Sequence, residues 1–131
     1  DSLTKADQAY GEQIADTIIL GEVRSLDLRN TSMSTATKIE SLASLAQALY
    51  LSNAGHERLD PEIRTFITFV QARQLPHNNC GWTINEEITE KFGGGIFSNC
   101  EATTIRIDGL QNWINGVTAY LEYRSMIKVQ K

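Results

Sequence analysis

The chain has little of several things that would announce a chemistry. Among its 131 residues are two cysteines, two histidines and two prolines, and its twelve lysines and arginines are scattered singly against sixteen acids, for a net charge of -4. No basic stripe exists to neutralise phosphates, which excludes an ordinary nucleic-acid interface and an electrostatic membrane anchor. No apolar run approaches the ~20 residues that span a bilayer; the longest centres on Thr17-Ile18-Ile19-Leu20. His56 and His77 lie at helical ligand spacing from no second histidine, cysteine or acid cluster, so neither a zinc nor an iron site is expected. The cysteines lack CxxC and CxxCH spacing, which removes redox-motif, haem and zinc-ribbon readings. The glycine triplet after Phe92 is not followed by Lys-Ser or Lys-Thr and leaves no strand, so it is no phosphate loop. No cofactor is expected.

What is present fits one domain over residues 1-131, a length that buries roughly two-thirds of the unfolded surface. Cys80 and Cys100 sit among asparagines, glycine, serine and glutamate, which favours one disulfide in an oxidising compartment over two buried thiols in the cytosol. The start at Asp1 with the polar stretch DSLTKADQ suits a mature exported chain after signal removal, although a trimmed chain would look the same. A periplasmic or secreted location is the expectation.

Apolar periodicity predicts helices almost throughout. Leu3, Ala6, Tyr10, Ile14 and Ile18, then Val23 and Leu26, define a first amphipathic helix broken near Gly21. NTSMSTATK, Asn30 to Lys38, reads as a loop and cap, and Asn30-Thr31-Ser32 also fits a glycosylation sequon of little weight. A second helix carries Ile39, Leu42, Ala43, Ala46, Leu49 and Tyr50 and stops near Asn53-Ala54-Gly55. The third starts with Asp60 as cap, Pro61 at the first position and Glu62 at the positive dipole end; its face is Ile63, Phe66, Ile67 and Val70, and Pro76 ends it.

Thr83 and Glu86 have capping-box spacing, which predicts a short helix from Ile84 to Phe92. Ser98 and Glu101 repeat the spacing, and a last helix is expected from about Asn99 toward Met126, with its face on Leu110, Trp113, Ile114, Val117 and Leu121. Its weak point is the run Thr103 to Ile107, β-branched and alternating, which also fits a short strand; helix throughout is favoured because an isolated strand would lack a partner. The fold class is therefore all-α, a compact bundle of four long helices and one short one, with one disulfide.

The stretch from His77 to Glu101 holds the candidate site. A Cys80-Cys100 bridge would tether the loop Gly93, Gly94, Gly95, Ile96, Phe97 and Ser98 against the bundle, and a tethered loop loses less entropy on docking. Ile96 and Phe97 either insert into a concave partner or fold back and plug one end of the bundle. Glu86, Glu87 and Glu90 lie beside Trp82; they fit a rim facing a basic partner, the ordinary acidic start of a helix, or one half of a glycosidase carboxylate pair.

In size, expected export, helical content and the cysteine pair, the chain resembles the small exported immunity proteins that protect bacteria from their own type VI secretion effectors. The resemblance implies an inhibitor without catalysis of its own, whose partner is an effector toxin such as a peptidoglycan hydrolase, blocked at its active cleft by the tethered loop. Two other readings stand beside it: a small secreted glycan hydrolase using Glu86 or Glu87 with Asp108, and a self-assembling helical subunit, a homodimer through its first and last helices.

Overall fold

The structure, a computed structural model, describes residues 4–23, 32–101 and 104–129. Those residues form the all-α bundle: α1 Lys5–Val23, α2 Ser32–Leu51, α3 Leu59–Gln71, the short α4 Glu86–Phe92 and α5 Ile107–Val129. The bundle is organised around α2, which packs most extensively on α5, then on α3, then on α1. Leu3, Leu26 and the sequon's Asn30 and Thr31 lie outside the described residues, as do the side chains of Leu20 to Val23. No described helix is long and apolar enough to cross a membrane.

Small residues explain why α2 can serve three neighbours. Ala36, Ala43 and Ala46 alternate with Ile39, Leu42 and Leu49, all buried, so other helices approach its backbone closely. The closest approach is at Gly116 of α5: a Cβ there would lie 3.0 Å from Ile39 Cγ2, 3.1 Å from the Glu40 nitrogen and 3.3 Å from the Ala36 oxygen. Two of those atoms are backbone and cannot swing aside. Gly116→Val should therefore wedge the largest helix interface apart and cost about 1–3 kcal/mol, the range for an overpacked core. Urea unfolding of the variant checks this, and a cost below the error of the measurement would place α5 differently.

α2 begins at Ser32, within the segment read as a loop, because Ser32, Thr35 and Ala36 are buried and tertiary contact overrides weak helix propensity. On α1 the inward residues are Ala15, Ile18 and Ile19, and Tyr10 and Ile14 are exposed. The predicted stripe is thus rotated, with Gly11 allowing contact with Leu45 of α2. Thr4 and Asp7 cap α1 reciprocally, each side-chain oxygen accepting the other's backbone N–H at 3.1 Å; the Thr4 hydroxyl, which also donates to the Asp7 carboxylate, and then the Thr4 N–H hold that carboxyl below its usual range. Arg58 ties α1 to the start of α3 by donating to Asp16 at 2.6 Å.

α3 buries Leu59, Ile63, Phe66 and Val70, much as the periodicity predicts. Its first residue is Leu59 and Asp60 is not its cap; the Asp60 carboxylate instead serves tertiary partners described below. α4 starts two residues later than Thr83 implies, with the Asn85 side chain accepting from the Ile88 N–H at 2.8 Å. α5 starts at Ile107, so Ser98 is not its cap; the Ser98 carbonyl instead accepts the Ser32 N–H at 2.7 Å, at the start of α2. Residues 104–106 are instead extended: the Ser98 N–H donates to the Thr104 carbonyl at 2.9 Å, and Phe97 and Ile105 form an isolated antiparallel bridge. Thr103 lies outside the described residues.

Candidate functional site

The segment from Arg73 to Ile105 is a small irregular cap on one end of the bundle, and its local chemistry accounts for its shape. Cys80 and Cys100 are joined in a disulfide with Cα atoms 5.2 Å apart. Asn78 Oδ1 accepts the N–H groups of both Cys80 and Trp82 at 3.0 Å, and its Nδ2 donates to the Trp82 carbonyl at 2.9 Å. This asparagine replaces a missing strand partner for the backbone around the bridge.

The three glycines have separate reasons. Gly94 sits at φ +85°, where side chains other than glycine are strained. At Gly93 a Cβ would fall 2.7 Å from the Thr89 carbonyl oxygen, and at Gly95 one would fall 2.9 Å from the Phe92 oxygen. The triplet is therefore a tight turn held at both ends: Leu75 N–H donates to the Gly95 carbonyl at 2.8 Å, and Gly94 N–H to the Leu75 carbonyl at 3.2 Å.

The turn delivers Ile96 and Phe97 inward, 6% and 3% exposed. Of the two placements the sequence allows, they fold back and plug the bundle's end; Gly95 is buried with them, Gly94 and Ser98 are half-buried, and Gly93 is exposed. Phe97 meets Trp82 edge to face at 5.0 Å between ring centroids. Its N–H donates to the Arg73 carbonyl at 3.2 Å.

Beneath the cap lies Arg73, the largest fully buried side chain. Its Nε donates to Asn79 Oδ1 at 3.0 Å, its Nη1 to Ser32 Oγ at 3.3 Å, and its guanidinium lies over the Phe69 ring at 4.4 Å. One charged side chain thus connects α2, α3 and the disulfide region. Nothing in its sequence neighbourhood marks it.

What this scaffold offers outward is a groove of about 1000 Å³ walled by Trp82, Ile84, Ile88, Phe92, Ile105 and Ile107, with Phe97 at its base. Among the described residues no charged side chain lines it. Phe92, Ile88 and Ile107 remain 55%, 39% and 87% exposed, which is unusual for large apolar residues placed side by side. Glu86, Glu87 and Glu90 are all exposed on α4, with Glu87 bound to Lys91 at 2.9 Å. Sequence reasoning named the acids and the loop but missed the groove, because its walls come from four separate stretches.

A second concentration of polar groups lines a cavity of about 490 Å³ between α2, α3 and α5. The His56 side chain is only 12% exposed. Its Nδ1 lies 2.6 Å from the Tyr123 hydroxyl, and its ring meets Tyr50 edge to face. Tyr120 donates to Asp60 at 2.8 Å and accepts from Arg64 Nε at 2.8 Å; Arg124 also reaches Asp60 at 3.3 Å. Burial, reinforced by the charges of Asp60 and Glu57, pushes the Tyr123 phenol up to about 12. Both Asp60 carboxylate oxygens have donors, Oδ1 from Tyr120 and Arg124 and Oδ2 from Arg64, so the cluster reads as a satisfied polar network.

No described group of three or more His, Cys, Asp or Glu side chains is placed to hold a metal ion. The chain matches no protein-family model, no curated protein and no solved structure.

Proposed function

We propose that the chain is a non-catalytic binding protein of an oxidising, extracytoplasmic compartment, and that it neutralises a cell-wall-degrading effector by docking it on the disulfide-clamped cap. The observation that carries this reading is a rigidly supported apolar groove with exposed aromatic and aliphatic walls and, among the described residues, no charged side chain within it. Such a surface favours a partner's inserted side chain over a polar small substrate. Ile96 and Phe97 act from beneath, fixing Trp82 and the groove's base, and Gly93 with Glu86, Glu87 and Glu90 supplies the adjoining exposed surface. The groove receives, so the partner inserts into this protein.

The glycan-hydrolase reading would need one carboxyl kept protonated beside an ionised one. Its second acid, Asp108, accepts two hydrogen bonds from Arg106, at 3.1 and 2.7 Å, which hold its carboxyl below the usual range. That environment suits the ionised member of such a pair and leaves the general-acid role to Glu86 or Glu87, both exposed on α4.

The test assays the oxidised protein alone on peptidoglycan, then titrates it into a muramidase, an amidase and a peptidoglycan endopeptidase taken from type VI effectors. Stoichiometric inhibition of one class, with no turnover by the chain itself, is the expected result. Turnover by the chain alone, lost in Glu86→Gln or Glu87→Gln, would contradict the reading.

A further inference from the structure

The groove has two sides, and each is led by a cysteine. Trp82, Ile88 and Phe92 follow Cys80 in the chain, and Phe97, Ile105 and Ile107 flank Cys100. The Cys80–Cys100 bridge is thus the covalent link between the two sides. Little else fixes the first of them. Residues 81–85 have no regular backbone structure, and α4, which carries Ile88 and Phe92, buries none of its residues. At its C-terminal end α4 is held by the glycine turn, with the Gln74 side-chain amide donating to the Gly94 carbonyl at 3.0 Å. At its N-terminal end the ties are the bridge, the Asn78 side chain on Cys80 and Trp82, and the edge-to-face contact of Trp82 with Phe97. A hydrogen bond to one side chain or a single ring contact opens at small cost, and a covalent bond does not.

The core does not depend on this link. α2 packs on α5, α3 and α1, and neither cysteine belongs to the buried apolar cluster. Arg73 also keeps its hold on the base of the cap: Asn79 Oδ1 accepts from Arg73 Nε at 3.0 Å, lying 3.8 Å from both sulfurs, and the Phe97 N–H stays on the Arg73 carbonyl. Both cysteines are half-buried, and Gly81 and Glu101 beside them are exposed, so a reductant can reach the bond.

We propose that the bridge is a redox switch for the groove: oxidised, it holds Trp82 and α4 against Phe97 and Ile105; reduced, it releases that side while the core of α1, α2, α3 and α5 stays folded. The step is thiol–disulfide exchange. A thiolate of a dithiol reductant attacks one cysteine sulfur, the Cys80–Cys100 bond breaks, and the other cysteine leaves as a thiolate; the reductant's second thiolate then displaces the first cysteine. The dithiol departs as a disulfide, and the two cysteines take up the two electrons and two protons it gives. The consequence for binding rests on the groove being the docking surface proposed above: a chain in a reducing compartment has no assembled groove, and oxidation makes one.

Nuclear magnetic resonance of the protein alone, oxidised and in excess dithiothreitol, tests the switch without any partner, so its failure is distinct from failure of the binding reading. On reduction the nuclear Overhauser contact between the Trp82 and Phe97 rings should disappear. The amides of Cys80 and Trp82 should exchange at least about tenfold faster, while those in α2 and α5 change by less than about twofold. Reoxidation should restore the contact. Cys80→Ser with Cys100→Ser should resemble the reduced protein and not respond to dithiothreitol. A ring contact and exchange rates that survive reduction overturn the proposal, because the groove then stands without the bridge. Loss of the α2 and α5 resonances together with the cap overturns it too, because reduction then unfolds the protein rather than opening one site.

Discussion

Arg73→Ala should cost about 3–5 kcal/mol, the range for breaking a buried charged network and opening a large cavity together. With a domain of this size stabilised by ~5–15 kcal/mol, that is a large share of the total. The side chain is fully buried, and its removal strips donors from Asn79 and Ser32 and a stacking partner from Phe69. Those groups would then be buried with fewer partners, which is where most of the penalty arises. Arg73→Met separates the two contributions, since methionine refills the stem's volume without the guanidinium. It should recover about half of the loss. Urea unfolding of both variants measures the effect, and an Ala variant within about 1 kcal/mol of the native protein would contradict the packing described here.

Removing the disulfide with Cys80→Ser and Cys100→Ser together should cost about 3 kcal/mol, because the bridge closes a loop of 20 residues that the unfolded chain would otherwise explore freely. The loss should also be local in kind. The cap has little regular structure of its own: it is held by Asn78, by the bonds between Leu75 and Gly94-Gly95, and by burial of Ile96 and Phe97. Amide hydrogen exchange should therefore speed up at Gly94, Gly95 and Phe97 well before α2 and α5 respond. Uniform acceleration throughout the bundle would show that the cap and the core unfold as one unit.

The helices that pack by one obvious stripe were legible from sequence, and those that pack by something else were not. Ile63, Phe66 and Val70 on α3, and Ile39 through Leu49 on α2, follow from period and burial alone. On α5 two stripes overlap, and the more hydrophobic one, through Ile114 and Leu121, faces water. Its true core face runs through Gly116, Tyr120 and Tyr123, which a hydrophobic pattern ranks low, because contact with α2 demands a missing side chain at one point and phenols able to reach His56 and Asp60 at others. Asp60 carries the usual signs of a helix cap, yet tertiary donors claim its carboxylate.

The same limit governed the site. The disulfide and the glycine turn were readable because cysteine spacing and consecutive glycines are local signals. The groove was not, since Trp82, Phe92, Ile105 and Ile107 meet only after residues 104–106 become extended rather than helical. Arg73 gave no signal because a buried arginine differs from an exposed one only in its distant partners, Ser32 among them.

The most direct measurement is a titration of the cell-wall hydrolase that the proposed function assigns as partner, with the native protein and with Phe92→Glu. Phe92 is 55% exposed, so the variant should fold with native dichroism and thermal midpoint. The account predicts one-to-one inhibition per chain by the native protein and at least tenfold weaker inhibition by the variant, since a charge would enter an uncharged apolar groove at the cost of an unpaired buried group (roughly 1.4 kcal/mol or more). Equal inhibition by both proteins would contradict it, and would move the docking surface away from the disulfide-clamped cap.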